Sequence, residues 1–391
     1  MSIVSIKQKV LAGLILSFPF LSYAATPEIN SEVTSAHKII AEFKVAKQGD
    51  PLLLPIKFKG KEYSFILDTG TSVTIFDISL RPELEDVKGV AILETAKDPM
   101  SAQFFDAPDA FLGPLNLRGC GQVTCVDLGM FSLILGREIS GILGMNFLKK
   151  YVVQIDFDKG RLFFIQPKGS TDHEWGEELT IGYDPLGRPL IEGYISNSIN
   201  VDFLIDTGLA YTGELESKIF KDALKDRVTK TSEKLAQAAG GLIREISFRT
   251  DDLSIGSSQY KGLILNVSDS SCLGLGFLSR HIVTFDFPNN KIYFKKGKDF
   301  KKADEEDMSG LHLLRVSERI IVHSVDKNSP AEKAGIRAND VILRVGNKDA
   351  NMYDMQELRR FLKSGDKKEV AMTIKHGADV REVSFLLEKK I

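Results

Sequence analysis

A mainly β chain made of two similar halves, followed by a smaller α/β module, is the fold this sequence predicts. Three observations carry that expectation. An apolar run leads straight into Asp-Thr-Gly twice, as Phe65-Ile66-Leu67-Asp68-Thr69-Gly70-Thr71 and as Phe203-Leu204-Ile205-Asp206-Thr207-Gly208-Leu209. Each copy reads as a buried strand that delivers one carboxylate to a tight turn, where glycine lets the backbone approach closely. Further anchors recur around the two copies in the same order, the mark of a duplicated domain. After residue 310 the pattern changes to a capped short helix, a strand and an amphipathic helix.

The recurring anchors are specific. Asp109-Ala110-Phe111-Leu112-Gly113 answers to Asp252-Leu253-Ser254-Ile255-Gly256, and Ile142-Leu143-Gly144 to Cys272-Leu273-Gly274. Val152-Val153-Gln154-Ile155-Asp156-Phe157 answers to Ile282-Val283-Thr284-Phe285-Asp286-Phe287. Either Asp-Thr-Gly alone fits an ordinary β-turn, in which Asp and Gly are frequent. The ordered set does not. Asp156 and Asp286 end alternating strands before turns and read as structural.

Composition narrows the function classes. The chain has 391 residues and a formal net charge of −2, so electrostatics gives no case for nucleic acid or an anionic membrane as partner. The six histidines are scattered, with no His-Glu-x-x-His and no Cys/His cluster, so no metal is expected. There is no Gly-x-Ser-x-Gly elbow and no phosphate-binding glycine loop, and no cofactor is expected.

Residues 1–24 read as a signal peptide, with Lys7 and Lys9 ahead of an apolar run and Ser22-Tyr23-Ala24 at the cleavage site. Export to the periplasm follows, with an extracellular or signal-anchored protein as the alternatives. Residues 25–49 hold either a first strand or a pro-segment. Residues 50–168 form the first half and 169–298 the second, with a polar stretch at 166–178 between them. Residues 299–309 are a charged linker expected to be solvated, and 310–391 the last module. Leu52 to Leu67 reads as a hairpin around Gly60-Lys61, and Ile75 to Val87 as an excursion with a helix. Cys120 and Cys125 suit an oxidising compartment, either as a disulfide or as two free thiols. Cys272 aligns with Ile142 and reads as a buried small hydrophobe.

The paired Asp-Thr-Gly motifs, each followed by an apolar-apolar-Gly segment, resemble the retropepsin/pepsin superfamily of aspartic peptidases over roughly residues 50–296. The resemblance implies two retropepsin-like β-barrel lobes, the acid-protease fold, with Asp68 and Asp206 meeting at a pseudo-two-fold axis. Two carboxylates that close share one proton and titrate as a unit. The expected activity is an aspartic-type endopeptidase in which the pair activates a water, with a weakly active or inactive peptide-binding adaptor as the alternative. Thr69 and Thr207 would brace the two loops, and Gly70 and Gly208 would keep them narrow. Thr71 can steady the first carboxylate, whereas Leu209 has no hydroxyl to offer the second, so the two should be inequivalent. Residues 95–106 and 238–242 take the places of flaps. A monomer suffices for catalysis, an obligate dimer being the alternative.

Ser329-Pro330-Ala331-Glu332-Lys333-Ala334-Gly335-Ile336, followed by Asp340-Val341-Ile342-Leu343 and Val345-Gly346, resembles a bacterial PDZ domain. Ser329 would cap a short helix and Gly335 end it. Met352 to Lys363 would flank a peptide groove, and Gly310, Leu311, His312 and Leu313 would lie in the carboxylate-binding loop. The resemblance implies partners in extended polypeptides or peptide C-termini, bound by strand addition.

Overall fold

A computed structural model describes residues 8–10, 38–95, 100–167, 173–196, 198–226, 228, 230–238 and 241–391. The signal-peptide reading, apart from the strand Gln8–Val10, and the cleavage site at Ala24 lie outside the described residues. Among the described residues no helix is long and apolar enough to cross a membrane.

The protein is mainly β, and nine strands of one half recur in the same order in the other, while Gln8–Val10 beside Gly89–Thr95 and Gly182–Tyr183 beside Pro189–Ile195 have no counterpart. Across the first sheet the order runs Gly89–Thr95, Met100–Asp106, Gln122–Val126, Ile75–Asp77, Gly141–Leu143, Lys61–Leu67, Leu53–Phe58, Ala110–Leu112, Leu115–Asn116. The second repeats it as Thr231–Ala238, Gly241–Thr250, Leu263–Ser268, Gly213–Glu216, Cys272–Leu273, Ile199–Ile205, Pro189–Ile195, Leu253–Ile255, Ser258–Tyr260. In each half the strand that ends at Asp-Thr-Gly lies parallel to the apolar segment before the later glycine. Gly141↔Phe65 and Leu143↔Leu67 set that register in the first, Leu204↔Cys272 and Ile205↔Leu273 in the second.

The expected hairpin forms as Leu53–Phe58 and Lys61–Leu67, with Lys59 and Gly60 both at positive φ in the turn. Phe65, Ile66 and Leu67 are all buried, which is why both faces of this strand are apolar. Ile75–Asp77 continues into a 3-10 turn over Ile78–Glu83, capped by the Asp77 carboxylate. The hairpins at both flap positions form too, although their tips, 96–99 and 239–240, lie outside the described residues.

A six-stranded sheet joins the halves. At its centre Val152–Asp156 pairs antiparallel with His281–Asp286, the one repeat meeting the other. Ile39–Lys44 lies on its edge beside Arg161–Ile165, so residues 39–44 are a strand of the body. The polar stretch expected to link the halves contributes the strand Glu177–Thr180 to this sheet, against Lys291–Lys296. Asp156 and Asp286 hold turns, accepting from the backbone N–H of Lys159 (2.9 Å) and Asn289 (3.3 Å), as structural residues do.

The charged run at 299–309 differs from expectation, because it is docked. Asp304 pairs with Arg280 (2.5 Å) and accepts from the Thr212 hydroxyl and the Ile264 N–H, both at 2.7 Å. An ion pair this enclosed is held by its extra hydrogen bonds.

The last module has its own core, including Ile320, Val322, Leu358 and Ile374. Ser329 caps the helix Pro330–Lys333, Gly335 follows at positive φ, and Asp354 caps the helix Met355–Leu362. Its sheet runs Leu311–Val316, Arg319–Val325, Val341–Val345, Glu369–His376, Asp379–Leu386, leaving Leu311–Val316 as an edge.

Phe65 is fully buried, edge-on to Phe76 with ring centroids 5.1 Å apart. Phe65→Ala should cost about 3–5 kcal/mol in urea unfolding, while Val90→Thr on the exposed flap-position hairpin should stay within about 0.5 kcal/mol.

Candidate functional site

Asp68 and Asp206 stand side by side because two short loops are laced together at the junction of the halves. Each begins where its strand is held by the parallel neighbour: Asp68 N–H donates to the Leu143 carbonyl and Asp206 N–H to that of Leu273, both at 3.0 Å. The Thr69 hydroxyl then crosses to the other half, donating to the Ile205 carbonyl (2.5 Å) and accepting the Thr207 N–H (3.0 Å). Thr207 returns the same pair of bonds, to the Leu67 carbonyl (2.9 Å) and from the Thr69 N–H (3.0 Å). Four buried hydrogen bonds of about 1 kcal/mol each thus fix one loop on the other.

The glycines are required by space. A Cβ at Gly70 would lie 2.4 Å from the Asp206 carboxyl carbon, and one at Gly208 2.5 Å from that of Asp68. Each glycine instead offers its N–H to its own carboxylate, Gly70 to Asp68 at 2.7 Å and Gly208 to Asp206 at 2.8 Å.

Both carboxyls are buried, Asp68 at 5 % and Asp206 at 2 % exposure, and both titrate above the ordinary Asp value. For Asp68 burial is the largest cause, with the charge of Asp206 and a hydrogen bond between the two carboxyls adding to it. For Asp206 burial is opposed by the Gly208 and Leu209 N–H groups and by the charge of Arg188. The pair therefore keeps hold of a proton to higher pH than a free carboxyl would, and Asp68 is the more strongly raised of the two. The inequivalence expected from Thr71 and Leu209 has this form: the Thr71 hydroxyl bonds Asp68, and a backbone N–H stands in at Leu209.

Sequence reasoning missed Arg188. It is clamped by Asp184 (Nε to Oδ2 2.7 Å) at the tip of a hairpin in the second half, and donates across to the Gly70 carbonyl (3.4 Å). The signal was present: Asp184-Pro185-Leu186 echoes Asp50-Pro51-Leu52, and a turn-forming Gly187 precedes the arginine. A buried polar row behind Asp206 also escaped notice. The Glu214 carboxylate bonds the Tyr211 hydroxyl and the Cys272 thiol, and burial pushes its carboxyl up to about 7. Strand register puts Ile75 and Ile142 at the matching places in the first half, so the duplication is apolar on one side and polar on the other.

Cys120 and Cys125 are separate free thiols rather than a disulfide. Cys125 donates to the Asp77 carbonyl (3.3 Å), while Cys120 lies 3.8 Å from the Thr74 hydroxyl. Burial pushes both thiols up to about 11, which keeps them unreactive.

The expected carboxylate-binding loop is already filled. Asp307 accepts from the N–H groups of Ser309 (2.9 Å) and Gly310 (2.8 Å), and the Ser309 hydroxyl accepts from Leu311 N–H (3.1 Å). Leu311 and Leu313 are buried, and His312 bonds Asp326 at 2.9 Å. The amides at the start of this loop are thus satisfied from within the chain.

Comparison with known proteins bears on the last module. The PDZ domain family matches residues 321–376, so the chain carries a PDZ domain. A probable CtpA-like serine protease of Staphylococcus aureus (strain N315) is 31% identical over 94 residues, 24% of this chain and 19% of the relative. Its counterpart in Staphylococcus haemolyticus (strain JCSC1435) is 30% identical over 94 residues, again 19% of its length. The chain thus spans about a fifth of the length of the curated relatives it matches. A photosystem II D1 C-terminal processing protease of known structure is 21% identical, covering 20% of this chain and 22% of that one at a TM-score of 0.19, too low to bear on the fold. The expectation of an aspartic-type endopeptidase is corrected by these matches, since the relatives are serine proteases by name.

The raised pair makes stability depend on pH in a set direction. A carboxyl that titrates higher when folded adds stability in full below its unfolded value of 3.8, and that share is lost as pH rises through the folded value. Asp68→Asn should therefore raise the melting temperature at pH 8 and leave it nearly unchanged at pH 4, every tenfold weakening of the acid on folding being worth about 1.4 kcal/mol. Thermal unfolding at both pH values checks this, and an equal effect at both would contradict the shared-proton account.

Proposed function

We propose that this chain is an exported, PDZ-assisted protein that processes polypeptides, with Asp68 and Asp206 as the acid–base residues of its site. The observation that carries the reading is the crossed pair of threonine hydroxyls, Thr69 and Thr207, which holds two buried carboxyls together at a cost in stability. Strain of that kind is kept where the chemistry uses it. In this reading the halves are retropepsin-like lobes, 50–168 and 169–298, followed by a linker at 299–309 and the PDZ domain at 310–391. The identical strand order and the doubled loop support that division. Polypeptide as substrate is supported by the PDZ domain, a module that binds extended peptide, and by the word protease in the names of the curated relatives it matches. Their serine chemistry belongs to those proteins.

The role of each residue follows from its surroundings. Asp206, eased by Arg188 and two N–H groups, carries the negative charge and accepts a proton. Asp68, pushed further up, donates one. Gly70 and Gly208 leave the carboxyls room, and Thr71 orients Asp68. Export rests on the signal-peptide reading of residues 1–24.

The test uses the mature full-length chain with a reduced, unfolded protein, products being read by mass spectrometry from pH 4 to 8. Processing should fall at least a hundredfold in Asp68→Asn and in Asp206→Asn alike, with both variants folded by circular dichroism. Labelling of the wild type by a serine-directed fluorophosphonate with loss of activity, while both variants still process substrate, would move the chemistry elsewhere and end this reading.

A further inference from the structure

We propose that the peptide groove of the PDZ domain is closed by the chain's own residues 134–136, and that the partner able to open it is an internal peptide segment bearing two adjacent branched aliphatic side chains. The inference stands on the groove and not on the carboxylate pair, so either can fail without the other.

A PDZ groove lies between an edge strand and the helix beside it, and the incoming peptide pairs with the free edge of that strand. Here those walls are Leu311–Val316 and Met355–Leu362. The first half sends the helix Gly129–Leu135 into this space from the segment between Gln122–Val126 and Gly141–Leu143. No such helix exists in the second half, where residues 269–271 alone separate the matching strands. The insertion is thus specific to the first half.

The contacts are apolar packing and hydrogen bonds from one shared arginine. Leu314 of the edge strand leaves the PDZ core and joins Ile134, Leu135 and Ile139 in an apolar cluster of the first half. Gly136 ends the helix at φ +67, and a Cβ there would lie 2.7 Å from Met355 Cγ on one wall and 3.1 Å from Arg315 Nε on the other. Arg359 of the PDZ helix closes the groove. It donates to the Ile134 carbonyl (3.3 Å) and to the Leu313 carbonyl (3.0 Å), tying the occupant to the strand that a peptide would pair with. Arg360 adds an ion pair to Asp50 of the first half at 2.8 Å. A cavity of about 520 Å³ beside this contact, with Ile134, Leu313, Leu314 and Arg359 in its lining, gives a peptide room to enter.

The occupant also says what kind of partner fits. Its side chains are aliphatic, and its backbone contributes an internal carbonyl rather than a terminus. The loop that would hold a terminal carboxylate already holds the Asp307 carboxylate on the N–H groups of Ser309 and Gly310. A second anion there would be repelled. The groove is therefore matched to an internal segment, not to a free C-terminus. Displacing residues 134–136 would also release the chain leading to Gly141–Leu143, whose Leu143 carbonyl holds the Asp68 N–H.

Binding tests this without any assay of activity. The probe is a fluorescent peptide of residues 130–138, blocked at both ends, titrated into the full-length chain by anisotropy. A groove open only part of the time weakens apparent affinity by the open fraction. Gly136→Val, with a branched side chain at a positive φ and a wall 2.7 Å away, should expel the segment and tighten binding at least tenfold. If that variant does not fold, Gly136→Cys with Met355→Cys serves instead, the peptide binding when the pair is reduced and not when it is oxidised. In the wild type, saturating peptide should speed amide exchange across 129–136. Unchanged affinity in the opened variant, or binding that leaves exchange at 129–136 unaltered, would overturn the proposal. So would a free-acid peptide binding ten times more tightly than the blocked one.

Discussion

Two threonine hydroxyls, each donating to a carbonyl of the opposite half and accepting the N–H of the other threonine, fix where everything else in the body must lie. Once Thr69 and Thr207 are crossed in this way, Asp68 and Asp206 have no freedom to separate. The glycines after them have no room for a side chain, and the strands before them must be apolar on both faces to remain buried beside a polar junction. The shared sheet, with Val152–Asp156 against His281–Asp286, repeats the same symmetry at the other end of each half. A duplicated sequence thus closes on itself at two places.

The cost of this arrangement lies in the carboxyls. Burial raises both, the charge of Asp206 raises Asp68 further, and the hydrogen bonds from Gly70, Gly208 and Thr71 offset part of that penalty. Arg188 breaks the symmetry, placing positive charge near Asp206 while its own charge is balanced by Asp184. The polar row of Glu214, Tyr211 and Cys272 breaks it again on the same side. Two chemically identical residues are inequivalent because their surroundings have diverged.

Much of this was legible in the sequence, for a physical reason. The doubled apolar-Asp-Thr-Gly run, the later glycines Gly144 and Gly274, and the Ser329-to-Gly335 helix are local patterns whose constraints act within a few residues. The sheet order and the caps follow from them. What sequence could not show depends on distant partners. Asp304 looked like part of a solvated charge run, yet it is tied to Arg280, Thr212 and Ile264. Cys120 and Cys125 could from sequence pair or stay free, and the fold sends their sulfurs to different neighbours. Occupancy of the loop at Ser309 and Gly310 by Asp307 was not foreseen, since a short side chain reaching two or three residues ahead leaves no periodic trace. The peptidase type was inferred from the doubled motif alone, and the matched relatives corrected it.

The central claim is that Asp68 and Asp206 hold one proton between them. Carbon-detected NMR of the carboxyl groups in aspartate-labelled protein, titrated from pH 3 to 9, reads this directly. The account predicts one carboxyl still protonated well above the ordinary Asp range, with its midpoint falling when Asp206→Asn removes the neighbouring charge. Two independent carboxyls, both titrating near 4 and indifferent to each other's substitution, would contradict it.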